Sequence, residues 1–462
     1  MIATPHHLAT EVGAQVMREG GNAIDAAVAA DAVLCVVYPH MTSVAGDLTA
    51  IVWPTDATSP VGLIGAGRSG ELATIEAVRS RGHAAMPARG VLTVTVPGTV
   101  EAWGRLLERF GTLGFGAVLE PAAALAQDGY LITPQLARAL MAAASRLGQE
   151  PVAYALYPPM EAGMLLRNPD LASALREIGH GGINAFYRGA IAEAIAAAVV
   201  RRDGFLTRQD LASHRSQWVD PISFAYRDLT VYELPPPTQG LAAAAMLVRL
   251  EAGMPFRQAR DASYALRDRY ITDPDFAVTP AELFLDPRHV PAGRGSAREG
   301  GDTIYLCAAD EHGNVISLIQ SVAYDFGSGI VAEGTGMLLQ TALGGVRIDG
   351  RGPPTPAAGA AADQPRRPEP QPGRGGGPAA DGDPAGWGHD RDGGGLPRCR
   401  PDRALRPPRS ADAAQTPLVR PRPGTGDRRS GTVACWSRST LGRLGRIRAL
   451  KVGTYTGLRV WQ

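Results

Sequence analysis

The chain changes character near residue 341, and that break bounds what it can fold into. Residues 341–462 hold 22 Gly and 16 Pro, nearly a third of the stretch. At that level, composition points to low complexity or disorder and not to a packed core. The same stretch carries 21 Lys+Arg against 10 Asp+Glu, whereas residues 1–340 carry 25 against 35. A formal net charge of +1 for the whole chain therefore averages a basic tail and an acidic body. The tail's arginines are scattered evenly between Pro and Gly. They are not clustered with aromatics, so no nucleic-acid partner is expected. The abrupt onset, the lost periodicity and the Arg/Pro/Gly composition predict a disordered tail or the product of a reading-frame shift in a GC-rich gene. A genuine divergent tail is the competing reading. Either way the fold has to come from residues 1–340.

That body is 340 residues long, enough for a sizeable core. Leu8, Val12 and Val16 recur every four residues, an amphipathic helix that Gly20-Gly21 stops. Asn22 can cap the next helix, Ala23–Leu34. Residues 48–53, 91–96 and 226–234 read as strands, and 100–110 as a helix. Further helices are expected near 117–127, 133–146, 184–200, 239–251 and 257–270. Residues 302–321 read as a β-hairpin turning at His312-Gly313-Asn314. Interleaved helices and strands of this kind imply a layered α/β domain. Cys35, Cys307, Cys399 and Cys435 form no paired spacing, so neither a disulfide framework nor a zinc site is indicated, and buried thiols are expected. The N-terminal MIATPHHLATEVG shows no basic segment followed by an apolar one. The longest apolar run, 26–38, contains Asp31 and is too short to span a bilayer. A cytoplasmic protein without membrane contact is the expectation.

The hairpin poses a chemical question. Thr303 stands at the start of its first strand, behind Asp302 and a glycine-rich run at 293–301. Threonine at a strand start ordinarily just suits the pleat. It can also serve as a nucleophile if the chain is cut before it. A hydroxyl is weak at neutral pH and needs a base. After the cut, the residue's own α-amine, with an ordinary pKa of about 7.7–8, supplies one. Cys307 lies on the same face four residues on and is read as core packing.

Several long motifs now carry a resemblance. They are TPHHLATEVGAQVMREGGNAIDAAVAADAVLCVVYPH, VPGTVEAWGRLLERFGTLGFGAVLEPAAALAQDGYLIT, NAFYRGAIAEAIAAAV, GFLTRQDLASH and DTIYLCAADEHGNVISLIQSVAYDFGSGIVAEGTGMLL. In this order they resemble the γ-glutamyltransferases (γ-glutamyltranspeptidases) and their glutaryl-cephalosporin acylase-like relatives, from residue 1 to about 340. The resemblance implies an N-terminal-nucleophile hydrolase, a four-layer αββα sandwich made as a self-cleaving precursor. Residues 1–302 would be the large-subunit region, and 303–340 the start of the small subunit, incomplete after 340. It implies cleavage at Asp302–Thr303 with Thr303 as nucleophile. The register supports this, since Thr303 precedes Asp310 by seven residues and Gly313 by ten. It further implies that Arg68 in GAGRSGELAT holds a substrate carboxylate, a task for which a planar guanidinium fork is suited. Ser321 would hydrogen-bond near the nucleophile. The expected partner is a small γ-glutamyl or dicarboxylic-acyl amide, with no metal or organic cofactor. A surface role for Arg68 and a plain strand-face role for Ser321 are the competing readings.

The chain also departs from that pattern. The transferases tend to carry asparagine where Ala323 stands, which suits the acylase-like branch better. After GTGMLLQ the family's sequence is lost at Thr341. Its glycine-pair oxyanion loop has no counterpart, because Gly344-Gly345 and Gly375–Gly377 stand in other contexts. The reading is therefore a γ-glutamyltransferase-like enzyme. Its alternatives are a glutaryl-type amidase and an inactive frameshifted relic.

Overall fold

The 303–321 hairpin forms because its turn is chemically specified. The computed structural model describes residues 1–291 and 303–342. In it Ile304–Ala309 and Val315–Ser321 pair antiparallel, with Val315 opposite Ala309 and Gln320 opposite Ile304. Between them the Asp310 carboxylate accepts the backbone N–H groups of His312 and Asn314, each at 3.0 Å, and the Asn314 side-chain amide at 2.9 Å. Gly313 supplies the φ of 101° that closes the turn, a conformation natural only to glycine. Asp310 also accepts the Ala23 N–H at 3.1 Å, which docks the hairpin on the start of the Ala23–Val37 helix. Burial pushes the Asp310 carboxyl up, but the hydrogen bonds from Asn314, Ala23 and Gly313 outweigh it and hold the group below its ordinary range.

This hairpin occupies the interior of a six-stranded antiparallel sheet. The strand order is Ile2–Ala3, Ile304–Ala309, Val315–Ser321, Asp47–Trp53, Val61–Gly65 and Gln217–Val219. All seven residues of Val315–Ser321 are buried, so both faces of the sheet are covered. On one face Leu48, Ala50, Leu306, Ile316 and Leu318 join the main core with the Ala23–Val37 helix, every residue of which is buried. A helix buried on every side belongs in a protein's middle. On the other face Ile51 and Ile319 pack with Leu234, beside Tyr232 and Tyr305. Tyr232 belongs to the hairpin Ile222–Tyr226/Leu229–Glu233. Residues of opposite parity, Phe224 and Val231, turn away from the sheet onto Ala244 and Leu247 of the Gly240–Glu251 helix. Helices, sheet, second β layer and helices thus follow in the αββα order. Among the described residues the second β layer consists of that one hairpin.

Three elements differ from expectation. Residues 91–96 are not a strand. Val91–Thr93 is a single 3₁₀ turn, and Val96 donates its N–H to the Arg68 carbonyl instead of to a ladder. The stretch 226–234 is the second half of a hairpin whose turn holds Arg227 at a φ of 54°. The helix expected at 184–200 is two helices, Pro169–Arg188 and Ala190–Val200. By length and composition that stretch could cross a membrane. However, Gly182 breaks it at a φ of 62°, and Leu171, Leu175, Ile178, Phe186 and Ile191 pack into the main core. Asp302 and the tail reading from residue 343 onward lie outside the described residues, as do Cys399 and Cys435. Cys35 and Cys307 are free and buried.

Candidate active site

Thr303 stands immediately before the Ile304–Ala309 strand. Its Oγ1 donates to Ser321 Oγ at 3.0 Å, joining the start of one central strand to the end of the next. Ser321 Oγ also accepts the Ala323 N–H at 2.9 Å. The loop beyond Ser321 is held under tension, since Ala323 and Phe326 have φ of 73° and 55° without being glycine. Such residues cost about 1–2 kcal/mol each unless their surroundings fix them. The restraint comes from Asp325, which pairs with both Arg89 and Arg146, the latter at 2.7 Å. His40 adds a backbone tie, its carbonyl accepting the Phe326 N–H at 3.0 Å. The geometry therefore fixes the oxygen to which the Thr303 hydroxyl points.

On the other side of Ser321, its ladder partner is Asp47. Asp47 Oδ1 accepts the Gly67 N–H and the Gln340 side-chain amide, both at 3.0 Å. Burial pushes its carboxyl up to about 7, against hydrogen bonds from Gly67, Gln340 and Gly98. Asp47, Ser321, Ala323 and Gln340 share a void of about 10 Å³, room for roughly one water. Gln340 Nε2 also reaches Thr95 Oγ1 at 2.7 Å and the Val96 carbonyl at 3.1 Å, tying the last described segment to the Arg68 loop. Sequence reasoning missed Asp47 and Gln340. Nothing in AGDLTAIVW distinguishes a buried acid at a strand start from a turn residue.

Arg68 follows Gly67 directly, so the contacts run without a gap from Thr303 through Ser321, Asp47 and Gly67 to it. Gly67 is required there, because a Cβ would sit 1.6 Å from the Val96 carbonyl oxygen. Since the obstacle is backbone and not a movable side chain, Gly67→Ala is expected to destabilise by about 3 kcal/mol. A urea midpoint within error of wild type would contradict this. Arg68 lines a cavity of about 520 Å³ with Ile64, Glu71, Asp210, Arg215 and Asp273. Its guanidinium pairs with Asp275 and lies 4.0 Å from Asp273. Neither Thr303 nor Ser321 lines that cavity. The structure thus joins Thr303 to Ser321 directly, and joins Arg68 to them only through Asp47. Cys307, the rival nucleophile, is a core residue whose burial pushes its thiol up. Gly344-Gly345 and Gly375–Gly377 lie outside the described residues.

The αββα stack is the architecture of the N-terminal-nucleophile hydrolases of the acylase kind. The sequence pattern of the gamma-glutamyltranspeptidase family matches residues 9–368, so it begins within the first helix and stops far short of residue 462. The chain is 34% identical over 372 residues to the glutathione hydrolase-like YwrD proenzyme of Bacillus subtilis (strain 168), across 74% of this chain and 70% of that one. It is 32% identical over 376 residues to the oxamate amidohydrolase proenzyme of Klebsiella pneumoniae, with the same coverage. Among solved structures, the cephalosporin acylase from Bacillus halodurans superposes with a TM-score of 0.70 at 32% identity, covering 77% of this chain and 73% of that one. The chain belongs to the γ-glutamyltranspeptidase family. By family it is a γ-glutamyltransferase-like enzyme, similar to acylases as well as to glutathione hydrolases.

Proposed function

We propose that the chain represents the precursor of a two-subunit enzyme in which, once the small subunit is complete, Thr303 carries the acyl group, Ser321 orients its hydroxyl and Arg68 holds a carboxylate of the substrate. The observation that supports this most is the 3.0 Å hydrogen bond from Thr303 Oγ1 to Ser321 Oγ. In the uncut chain the Thr303 nitrogen is an amide and cannot act as a base. Scission of the Asp302–Thr303 bond converts it to an amine beside the hydroxyl. The amine then takes the Oγ1 proton as Oγ1 attacks the substrate's amide carbonyl. The proton passes to the leaving nitrogen as the C–N bond breaks, which leaves an ester on Thr303. Water or an acceptor amine, deprotonated by the same group, attacks that ester and restores the hydroxyl. The substrate class is a small γ-glutamyl amide. A glutaryl-type amide is the second reading, favoured by the apolar Ala323 in the void beside Ser321.

The test uses a chain whose frame beyond codon 341 restores the family's sequence, assayed on γ-glutamyl and glutaryl anilides. Arg68→Ala is expected to raise KM for either by about 10- to 100-fold, as loss of a hydrogen bond to a charged group predicts. An uncharged ester of the same acyl chain should be unaffected. Equal losses for charged and uncharged substrates would make Arg68 structural. Faster turnover of the glutaryl anilide would decide for the second reading.

A further inference from the structure

The cavity beside Arg68 already contains carboxylates. Asp273 and Pro274 line its wall, and the turn they open carries Asp275 onto the Arg68 guanidinium. That turn has a fixed shape. Asp273 Oδ1 accepts the Asp275 N–H at 3.0 Å, and the Asp273 carbonyl accepts the N–H groups of Phe276 at 3.1 Å and Ala277 at 3.3 Å. Asp273 itself stands 4.0 Å from the same guanidinium and is mostly buried, so it reinforces the field without closing the contact. The second cation of the cavity is engaged differently. The Arg215 guanidinium donates to the carbonyl oxygens of Ala212 and His214. Arg68 is thus the cation whose charge a carboxylate of the protein meets at the cavity.

We propose that Asp275 acts as a built-in competitor: it occupies Arg68 in the empty cavity, and a ligand carboxylate binds by exchanging with it. This rests on the reading of Arg68 as the carboxylate holder. The exchange is feasible because the pair is weak. The side chains of Arg68 and Asp275 are 52% and 53% exposed. An ion pair that open to solvent is screened and contributes little, so removing it changes an equilibrium by only a few-fold. A carboxylate that enters the cavity and forks onto the guanidinium gains two parallel hydrogen bonds in a more enclosed setting. The competitor then raises the threshold for every ligand that must engage Arg68, and a ligand lacking a carboxylate does not release it. Asp275 thereby sets the affinity threshold that a carboxylate ligand has to pass at Arg68.

The experiment measures glutarate binding to the 462-residue chain by calorimetry, at low and at 0.5 M salt. Asp275→Asn, which keeps the turn's size and hydrogen-bonding oxygen, is expected to tighten binding by about 2- to 5-fold at low salt. The gain should shrink at high salt, where the competing pair is already screened. Arg68→Ala should weaken glutarate at least 10-fold, and the double variant should match it. If Arg68→Ala weakens binding while Asp275→Asn leaves it unchanged or weaker, the competitor is disproved and the Arg68 reading stands. If Arg68→Ala leaves binding unchanged, both fall. Glutarate binding undetectable in both the wild-type chain and Asp275→Asn overturns the proposal as well. Asp275→Ala serves as a second variant, and a result opposite to Asp275→Asn would show that the turn, and not the charge, was being measured.

Discussion

Thr303→Ala in the frame-restored chain is expected to leave one uncut polypeptide and to lower amide hydrolysis by roughly 10⁴- to 10⁶-fold, the range for removing a member of a catalytic unit. The threonine enters twice. On the proposed mechanism its hydroxyl makes the cut that frees its own amine, and the same hydroxyl then accepts the acyl group. Alanine keeps the strand and removes only the oxygen that now donates to Ser321. Intact mass separates the outcomes, because the parent should give two fragments, the second beginning at Thr303. Two fragments from Thr303→Ala, or a new N-terminus elsewhere, would remove Thr303 from the mechanism. The 462-residue chain as written is expected to stay uncut and inactive. Among its described residues the second β layer is one hairpin, Ile222–Tyr226/Leu229–Glu233. The composition of residues 341–462 is not one that buries enough apolar area to offset the entropy of ordering a further sheet. A soluble, processed 462-residue chain that turns over a γ-glutamyl anilide would show that its tail is real structure.

What could be read from the sequence was set by how local each signal is. The nucleophile hairpin was legible because Asp310, Gly313 and Asn314 specify its turn within five residues, and that turn fixes the register that brings Thr303 to Ser321. The Ala23–Val37 helix was legible from Asn22, which caps it with Asp25 in a reciprocal box. The helix at Pro169–Arg188 was missed despite an equally local signal, Asn168 as cap with Pro169 in the first turn. The two glycines at 181–182 hid its period. Residues 91–96 alternate like a strand, but Thr93 and Thr95 are buried to meet side chains from the end of the described chain. Thr93 Oγ1 lies 2.6 Å from Thr341 Oγ1, and Thr95 receives Gln340. A strand pattern in one segment cannot reveal that its partners lie 245 residues away. The same holds for Asp47, whose role exists only because the ladder sets it against Ser321. Arg68 was singled out by resemblance alone, and its pairing with Asp275, 207 residues on, left no mark in the sequence around it.

Buried charge gives the second large effect. Asp31 lies within the wholly buried Ala23–Val37 helix, where Trp103 Nε1 donates to its Oδ2 at 2.8 Å and its Oδ1 has no partner among the described residues. Burial pushes its carboxyl from 3.8 up to about 7, with the Trp103 hydrogen bond pulling the other way. The folded state therefore holds a proton that the unfolded chain has released. Its stabilising effect is complete below about pH 4 and is lost as pH rises toward 7. Buried His6, His40 and His214 are pushed down from 6.5 to about 4, so their contributions are complete above pH 6.5 and are lost as pH falls through the same window. The opposing slopes overlap, but three histidines outweigh one aspartate, so on account of these groups the parent's stability should fall as pH falls from about 6.5 toward 4. Asp31→Asn removes one slope without touching the others. Asparagine keeps an oxygen for Trp103 and carries no charge at any pH. Relative to the parent, the variant should gain about 1.4 kcal/mol for each pH unit between 4 and 7, some 4 kcal/mol in all. Asp47 is a poorer probe although it too is pushed to about 7, because the N–H donors around it would face an asparagine NH₂ group. Urea unfolding of Asp31→Asn and the parent at pH 4, 5.5 and 7, followed by far-UV circular dichroism, reads the difference directly. A variant whose offset from the parent is the same at all three values would mean that Asp31 is ionised in the folded core.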